Sequence, residues 1–331
     1  MLPALYPFET REQWLVAAPA FFGADDDEVI RSLLERRLIP LVRGPELAIY
    51  LGISPKLVSV MVKEPQRYYR SFQIPKRNGR PRMITAPRVF LKTIQRFILD
   101  CILSQLRPHE AACGFRRGFS CRNGAEQHVG RPFLWNIDLE DFFPSITKAQ
   151  VKEVFRSVGY PDASAYYLSG LCCLERRLPQ GAPTSPALAN LVCATMDESI
   201  AGVSLEREVV YTRYADDLSF SSNHPITPEF REEIAKRIVG FGFRIQPKKT
   251  RLMGPAVRRE VTGLTVNNQV AIPRPIRRNL RAYFHHISTD PSAFANQKQR
   301  ATGYARWLYD YHRAEGIHAL QVTSTIPIPG K

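Results

Sequence analysis

Three aspartates occupy positions from which they could bind metal ions. Asp216 and Asp217 lie between two β-prone runs, which predicts a strand–turn–strand with both acids at its tip. Asp138 comes 78 positions before Asp216, inside an apolar, strand-like run. Neighbouring carboxylates repel each other, and a carboxylate in an apolar run is costly unless it is paired or bound to a metal. For the adjacent pair alone, an ordinary hairpin turn is the alternative, because Asp favours turns.

Taken together, the three acids predict a two-metal site for phosphoryl transfer. Two Mg2+ ions about 3.5–4 Å apart would bridge the carboxylates. One ion would activate an attacking 3′-hydroxyl, and the other would stabilise a leaving pyrophosphate. We therefore expect Mg2+ as the cofactor, with two ions per active site.

A loop that leads into a helix lies between the two acidic segments. It reads Leu178-Pro-Gln-Gly-Ala-Pro-Thr-Ser-Pro186. Gly181 would let the backbone come close to a ligand, Ser185 predicts a helix N-cap, and Pro186 suits the first helical position. The alternative is that the segment only leads the chain into a helix. That interpretation explains Ser185 and Pro186, but it gives no reason for Gln180-Gly181.

The surrounding sequence predicts three regions that position these segments. Residues 1–67 have the apolar spacing of helices. Residues 68–270 begin with a basic hairpin that turns at Asn78-Gly79, and strands then alternate with helices. One of these helices starts with a capping box formed by Thr147 and Gln150. Residues 271–331 are helical and basic.

The charge of the chain predicts a polyanionic partner. The 331 residues carry a formal net charge of +15. From Gly242 to Lys331 there are 15 Lys and Arg against 4 Asp and Glu, a net charge of +11. A solubilising surface is the alternative, but such surfaces usually mix both signs. Arg277, Arg278 and Arg281 share one predicted helix in this region with Tyr283, which favours a nucleic-acid-facing lobe.

The acidic segments and the loop between them resemble, in order and spacing, the palm of reverse transcriptases over residues 70–270. Tyr214-Ala-Asp-Asp is similar to the catalytic hairpin of that family, and Pro179-Gln-Gly to its template and nucleotide loop. The resemblance implies Asp138 and Asp216 as the principal metal ligands, with Asp217 in support. It also implies an α+β right-hand polymerase fold: fingers and a palm with an antiparallel sheet, then a small helical thumb.

The same resemblance implies residues that bind the incoming dNTP. Phe143 would be the aromatic gate that clashes with a ribose 2′-hydroxyl, and Gln180 would lie beside the nucleotide. The amides from Leu139 to Phe142 would cradle the triphosphate, which Lys76 and Arg82 of the fingers hairpin would grip. Lys249 would protonate the pyrophosphate as it leaves.

Further segments resemble retron reverse transcriptases. Arg122 to Gly130 is similar to the retron Asn-Ala-x-x-His segment, with either Gly124 in the place of the Asn and His128 in register, or Asn123 there and one residue inserted. Val261-Thr-Gly263 is similar to the element that follows the palm in that family. Leu171-Cys-Cys and Tyr211-Thr-Arg-Tyr also look like retron versions.

The retron resemblance implies a cytoplasmic enzyme that binds a structured noncoding RNA through His128, Val261, Thr262, Gly263 and the basic thumb. Such an enzyme starts DNA from an internal guanosine 2′-hydroxyl and copies part of the RNA into single-stranded DNA. Many retrons act in phage defence with a toxic effector, which would be a separate protein here.

Several other classes of protein are weighed against this assignment. Another bacterial reverse transcriptase remains open, namely a group II-like, diversity-generating or abortive-infection enzyme, and so does a non-catalytic RNA-binding scaffold. Residues 45–62 could form a helix-turn-helix of a DNA-binding regulator. No stretch reaches the ~20 apolar residues of a membrane span, and we see no secretory signal. The 6 cysteines have neither a disulfide pattern nor zinc spacing.

Overall fold

The computed structural model of the protein describes residues 26–44, 46–75 and 81–327, with Arg82 described by its backbone alone. The strands are β1 Tyr69–Pro75, β2 Pro81–Pro87, β3 Phe133–Glu140, β4 Val210–Tyr214, β5 Asp217–Ser222, β6 Arg244–Ile245, β7 Arg251–Met253, β8 Glu260–Val261 and β9 Leu264–Thr265. The helices up to the middle of the chain are α1 Asp27–Glu35, α2 Leu47–Leu51, α3 Pro55–Lys63, α4 Val89–Cys101, α5 Cys121–Glu126, α6 Phe142–Ser145, α7 Lys148–Ser157 and α8 Asp162–Cys172. The later helices are α9 Ser185–Val192, α10 Ala194–Glu206, α11 Pro228–Gly240, α12 Arg274–Thr289, α13 Lys298–Tyr311 and α14 Arg313–Ser324.

An antiparallel sheet carries the three acids. Its strands follow the order β4-β5-β3-β6, and β7 also pairs with β3. Along β3, Ile137 and Leu139 are buried while Asp138 between them is partly exposed. Because side chains alternate across a strand, this pattern turns the Asp138 carboxylate away from the core. Helices and antiparallel sheets together make an α+β fold, the class that the resemblance implied.

Helices cover the buried face of this sheet. In the core, Trp135 of β3 packs on Phe220 of β5, with ring centroids 5.1 Å apart. The helix predicted from its capping box is confirmed as α7: the Thr147 hydroxyl accepts a hydrogen bond from the Gln150 amide, and the Gln150 side chain accepts one from the Thr147 amide. This double cap satisfies amides that the first turn leaves without helical partners, so it sets where the helix begins.

The N-terminal helices belong to the same core as the sheet. Helix α2 ends at Gly52, whose φ of 61° is left-handed, and α3 follows it. Val58, Met61 and Val62 of α3 are buried in the core shared with the sheet. Gly170 of α8 permits the contact, because a Cβ there would lie 2.6 Å from Cγ1 of Val62. Helix α3 is therefore packed against α8 in the same core as the sheet, which gives the segment considered for a helix-turn-helix a structural role in this fold.

The fingers hairpin extends away from this core. Strands β1 and β2 pair in register from Tyr69 opposite Pro87 to Pro75 opposite Pro81. Only Tyr69 of β1 is buried. The amide of Thr85 in β2 donates to the Gln180 carbonyl at 2.9 Å, which ties the hairpin to the loop before α9. The predicted turn at Asn78-Gly79 lies outside the described residues.

The C-terminal helices form a second core. Leu280, Phe284 and Ile287 of α12 pack with Ala301, Ala305 and Leu308 of α13 and with Val322 of α14. Gly316 allows α13 and α14 to touch, since a Cβ there would lie about 2.2 Å from the Tyr309 Cα. Val261 and Leu264 of the β8–β9 hairpin belong to this second core, so it extends across the predicted boundary at 270. In the described part of the chain, no helix has the length and apolar character to cross a membrane.

Candidate active site

A cleft of about 840 Å³ opens above the acidic edge of the sheet. It lies between the palm strands, the fingers hairpin and the loop before α9. Its lining includes Met83 and Thr85 of β2, Asp138, Phe143, Gln180, Asp216, Gln246 and Lys249. Residues predicted separately for metal binding, nucleotide binding and proton transfer therefore meet in one cavity.

The strand register brings the acids together. Asp138 lies directly opposite Asp217 in the β3–β5 pair, and Tyr214 lies opposite Asp217 in the β4–β5 pair. The turn between β4 and β5 thus contains only Ala215 and Asp216. Ala215 is left-handed, with φ of 57°. An L-residue in this region costs about 1–2 kcal/mol, so the rest of the palm must hold the turn in place.

Burial and like charge act on the acid pair. Burial, followed by the negative charges of Asp216 and Asp138, raises the pKa of Asp217 to about 6. Lys249 and Arg251 oppose this rise. Nζ of Lys249 lies 2.7 Å and 2.8 Å from the two carboxylate oxygens of Asp138. The lysine therefore neutralises part of the negative charge in the cleft.

The donor atoms fit Mg2+, although they do not form a complete protein cage. Among the described residues, no group of three or more acid, His or Cys side chains converges closely enough to hold an ion. Mg2+ is usually bound by one or two carboxylates together with waters and substrate phosphates, so an open set of carboxylate oxygens suits it. Lys249 would have to release Asp138 for that carboxylate to serve as a ligand.

A buried network beneath the turn was not predicted. Nη2 of Arg213 lies 2.6 Å from Oδ2 of Asp197, and both side chains are 0% exposed. The Tyr211 hydroxyl donates to the same aspartate at 2.8 Å. Nη1 of Arg213 donates to the Ala215 carbonyl at 3.3 Å and to Oδ1 of Asn190 at 3.1 Å. The network holds the strained turn from below, and its sequence signal was an arginine inside a strand-like run.

A second group that the sequence analysis missed lies beside Phe143. The Phe115 ring is 6.1 Å from the Phe143 ring and 6.2 Å from the Tyr214 ring. Phe115 is left-handed, with φ of 60°, and lines the cleft. Gly114 beside it packs on the catalytic turn, because a Cβ there would lie 3.0 Å from the Ala215 amide nitrogen. The only available signal in the sequence was the Gly114-Phe115 pair itself.

Two details of the loop before α9 correct the sequence analysis. A Cβ on Gly181 would lie 2.9 Å from the Ile84 side chain and 3.0 Å from the Thr85 carbonyl oxygen. The glycine therefore admits the fingers hairpin, whereas we expected it to admit a ligand. The N-cap of α9 is Thr184, not Ser185. The Ser185 hydroxyl instead donates to the Pro179 carbonyl at 2.8 Å and closes the loop.

The residues expected to bind the triphosphate have three different outcomes in the structure. The Leu139 amide donates to the Asp216 carbonyl at 2.9 Å, so it supports the catalytic turn and is not available to a phosphate. Its assignment to the triphosphate cradle is therefore wrong. Lys76 lies outside the described residues, and Arg82 places its backbone in β2 beside the cleft.

His128 lies inside the palm and not on an RNA-facing surface. Its ring is 0% exposed. Nδ1 lies 2.7 Å from the Ser221 hydroxyl, and Nε2 lies 2.7 Å from the Thr212 hydroxyl. Burial, with a smaller effect of Arg131, lowers the pKa of His128 to about 3, so the ring is neutral. The predicted contact with RNA is wrong in this structure: the histidine joins β4 and β5 to the segment after α5.

The other RNA-contacting candidates divide into inward and outward residues. Val261 is 1% exposed and packs in the second core, which contradicts a direct RNA contact. Thr262 and Gly263 form the left-handed turn between β8 and β9, and Gly263 is exposed. Arg277 is held at 3.2 Å from a Glu315 carboxylate oxygen, so it braces α12 against α14.

Arg278 and Arg281 are both exposed on α12. Because they lie three positions apart, they share one face of the helix. Of the three arginines predicted to contact RNA, these two remain on the surface.

Comparisons with known proteins agree with this geometry. Residues 74–267 match the family model "Reverse transcriptase (RNA-dependent DNA polymerase)". The retron Ec86 reverse transcriptase of Escherichia coli is 38% identical over 239 residues, which cover 71% of this chain and 75% of that protein. The retron Mx65 reverse transcriptase of Myxococcus xanthus is 35% identical over 310 residues, covering 83% of this chain and 73% of that protein.

A telomerase from Candida albicans, solved with a fragment of telomeric RNA, aligns with a TM-score of 0.46 and 9% identity over 80% of this chain and 59% of that one. That likeness is too low to bear on the assignment. The family match spans the three acids, the cleft and the second strand of the fingers hairpin, and the relatives extend the match over most of the chain. The chain belongs to the retron reverse transcriptases and is an RNA-directed DNA polymerase.

Proposed function

We propose that this polymerase binds one structured noncoding RNA, starts DNA from an internal guanosine 2′-hydroxyl of that RNA, and copies part of it into single-stranded DNA. The product is a branched RNA–DNA molecule made from dNTPs in the cytoplasm. The observation that carries the polymerase chemistry is that Asp138 and Asp216 line one cleft with Phe143 and Lys249, while Asp217 lies directly opposite Asp138 in the sheet.

Asp138 and Asp216 are the proposed principal ligands of two Mg2+ ions, with Asp217 in support. When bound, the ions would activate the attacking hydroxyl and stabilise the leaving pyrophosphate. Lys249 is hydrogen-bonded to Asp138 in this structure. When Asp138 binds a metal ion instead, the released ammonium would be free to give a proton to the pyrophosphate oxygen. One lysine therefore serves two successive partners within reach of its side chain.

Phe143 is the proposed gate against ribonucleotides. Its ring lines the cleft and packs against Phe142 and Phe115 at 5.3 Å and 6.1 Å between centroids. Packing on two sides restricts the rotation of the ring, so a ribose 2′-hydroxyl would meet a fixed obstacle. Gln180, which lines the same cleft, would lie beside the base or sugar of the nucleotide.

The proposed RNA surface combines the exposed turn at Thr262 and Gly263 with Arg278 and Arg281 on α12. Exposed arginines contact phosphates without reading sequence, so they would supply affinity. The names of the relatives support the retron assignment itself. A structured RNA partner, and an anti-phage role with a separate effector protein, are proposed because the resemblance to retrons implies them.

The test is to express the chain with the RNA encoded beside its gene, to extract small nucleic acids, and to treat them with RNase and with debranching enzyme. The matched control is the double variant Asp216→Asn, Asp217→Asn. We expect a discrete DNA that changes mobility on debranching and is absent in the control. An unbranched DNA would refute priming from a 2′-hydroxyl, and the absence of DNA on any template would favour a scaffold.

A further inference from the structure

A second groove, of about 930 Å³, lies on the other side of a short turn from the catalytic cleft. Helices α3 and α8 and the start of α7 form its walls. Glu175 and Arg177 of the turn line both the groove and the cleft. We call this cavity the fingers groove; no role was predicted for it from the sequence.

The fingers groove is strongly positive. Its lining includes five cations, Lys63, Lys148, Lys152, Arg176 and Arg177, against a single carboxylate, Glu175. Lys152 is paired with Asp162, at 2.7 Å. Lys148 has no carboxylate within ion-pair distance among the residues that the structure describes. Its Nζ lies instead 4.2 Å from the centre of the Tyr166 ring.

The half-buried position of Lys148 is unfavourable for its charge. Burial lowers the pKa of Lys148, and the nearby charges of Arg176 and Lys152 lower it further. The glycine at position 170 leaves room for the amine, because a Cβ there would lie 3.3 Å from Nζ. A bound anion would relieve the repulsion among these cations.

The turn beside the groove is strained. Glu175 and Arg176 are both left-handed, with φ of 49° and 61°. Leu174 and Arg177 close the turn with two backbone hydrogen bonds of 2.9 Å. The Arg176 carbonyl accepts from the Lys148 amide at 2.7 Å, and this bond fixes the turn to α7. Strain of this kind is concentrated at functional sites. Here the hydrogen bonds that hold the strained turn also place Arg176 and Arg177 at the border between groove and cleft.

An exposed aromatic ring completes the groove. Tyr166 is 43% exposed, although aromatic side chains usually bury most of their surface. Cations along a groove, together with an exposed ring on which a base can stack, are the features that bind single-stranded nucleic acid. The groove borders the cleft in which a template is copied, so a strand leaving the cleft could enter it directly.

We propose that the fingers groove binds a single-stranded segment of the RNA template next to the part that lies in the cleft. Lys63, Lys148 and Arg176 contact phosphates, and one base stacks on Tyr166. This inference rests on the proposed function for the identity of the strand. Its test is a binding measurement, which does not require that the enzyme make DNA.

The first variant removes two exposed cations, Lys63→Gln and Arg176→Asn. Asn is chosen because it tolerates left-handed backbone better than Gln. The matched control, Arg207→Gln with Lys236→Gln, removes the same charge from two exposed sites that line neither cavity. The probe is a labelled RNA of about 20 nucleotides, without secondary structure and longer than the ~4–16 nucleotides of a typical binding site.

Affinity for this RNA is measured across a range of salt concentrations. Each phosphate contact on a single strand contributes about 0.7 to the slope of log K against log salt, so the groove variant should lose roughly 1.4 of slope. The same relation gives an affinity loss of about tenfold at 0.15 M salt. The control pair should keep the wild-type slope. An equal loss in both pairs, or in neither, overturns the proposal.

Two further measurements separate the remaining explanations. Tyr166→Leu should weaken binding at least about fivefold while leaving the salt slope unchanged, because stacking releases no counterions; unchanged affinity would remove the stacking role. If the double variant raises the KM for dNTP while RNA affinity stays constant, the cations serve the triphosphate and the RNA proposal is overturned. If the wild type binds RNA but makes no DNA, the proposed function is wrong. The binding measurements on the variants still decide whether the fingers groove binds RNA.

Discussion

The palm and the thumb place their predicted functional residues very differently. In the palm, Asp138, Asp216 and Lys249 reach the same cleft, as the sequence analysis expected. Near the thumb, Val261 and Arg277 were expected at an RNA surface, but they are used for packing and bracing. Metal chemistry accepts few residue types at few positions, whereas arginine serves equally well as a phosphate ligand and as a structural cation. A catalytic role is therefore easier to recognise in a sequence than an RNA contact.

The largest expected effect comes from the palm acids. Asp216→Asn keeps the shape of the side chain but removes a charged oxygen ligand, so we expect DNA synthesis to fall by at least about a thousandfold. Primer extension at saturating Mg2+ measures the rate. The melting temperature should be unchanged or higher, because one repulsive charge beside Asp217 is gone. A variant with more than a tenth of wild-type activity would contradict the assigned role.

The next effect concerns the network beneath the turn. Arg213→Gln leaves the Asp197 carboxylate buried without its cation, and breaking such a pair costs about 3–5 kcal/mol in the free energy of unfolding. Urea unfolding monitored by circular dichroism measures this loss. In the double variant Arg213→Gln, Asp197→Asn, part of the stability should return, because no uncompensated charge remains. Equal stability of the single and double variants would show that the pair is not coupled.

Metal-free protein should respond to pH through Asp217. The folded pKa of about 6 lies above the usual value for aspartate, so the folded state binds the proton more tightly than the unfolded state. Stability is therefore highest below pH ~4 for this group and declines by roughly 2–3 kcal/mol as pH rises through 6. Unfolding curves between pH 4 and 7 test this, with Asp217→Asn as the variant that should lack the decline. Added Mg2+ should reduce the decline in the wild type.

The gate in the palm should show an intermediate effect. Phe143→Ala removes the ring that we place against the ribose 2′-hydroxyl, so the preference for dNTP over rNTP should drop by roughly 10–200-fold. The ratio of kcat/KM values for matched dNTP and rNTP measures it. Phe115→Ala is a useful comparison, because Phe115 supports Phe143 from one side and should lower the preference less. A preference that survives both changes would assign selection to another residue.

The smallest expected effect concerns the arginines of the thumb, which differ in whether they contact RNA or another part of the protein. Arg278→Gln with Arg281→Gln should reduce RNA affinity by about tenfold at 0.15 M salt and make the salt dependence shallower. Arg277→Gln should leave the salt slope unchanged and lower thumb stability by no more than ~1 kcal/mol, since its bond to Glu315 is partly exposed. Filter binding and thermal unfolding measure the two quantities. If Arg277→Gln changed the salt slope as much as the double variant does, the division into inward and outward arginines would be wrong.

Sequence patterns alone determined the chemistry and its approximate location. Paired carboxylates at a turn, a third at the end of an apolar strand and a Gln-Gly loop identified the reverse transcriptase palm, and the capping box at Thr147 gave the start of α7. Each pattern occupies a short stretch of the chain, where the spacing of apolar residues can be recognised directly, and the order and spacing of the stretches supplied the resemblance to the family. The same reasoning misplaced the N-cap of α9 by one residue, since Ser185 has a distant acceptor in the Pro179 carbonyl.

Only the tertiary structure decided which polar residues face inward. His128 and Arg213 are polar residues that the fold encloses with partners from other segments, Thr212 and Ser221 in one case and Asp197 in the other. Whether a polar side chain is buried depends on partners distant in sequence, because burial is favourable only when those partners satisfy its hydrogen bonds. The left-handed Ala215 and the fingers groove are decided in the same way, by contacts between segments that the sequence order keeps apart.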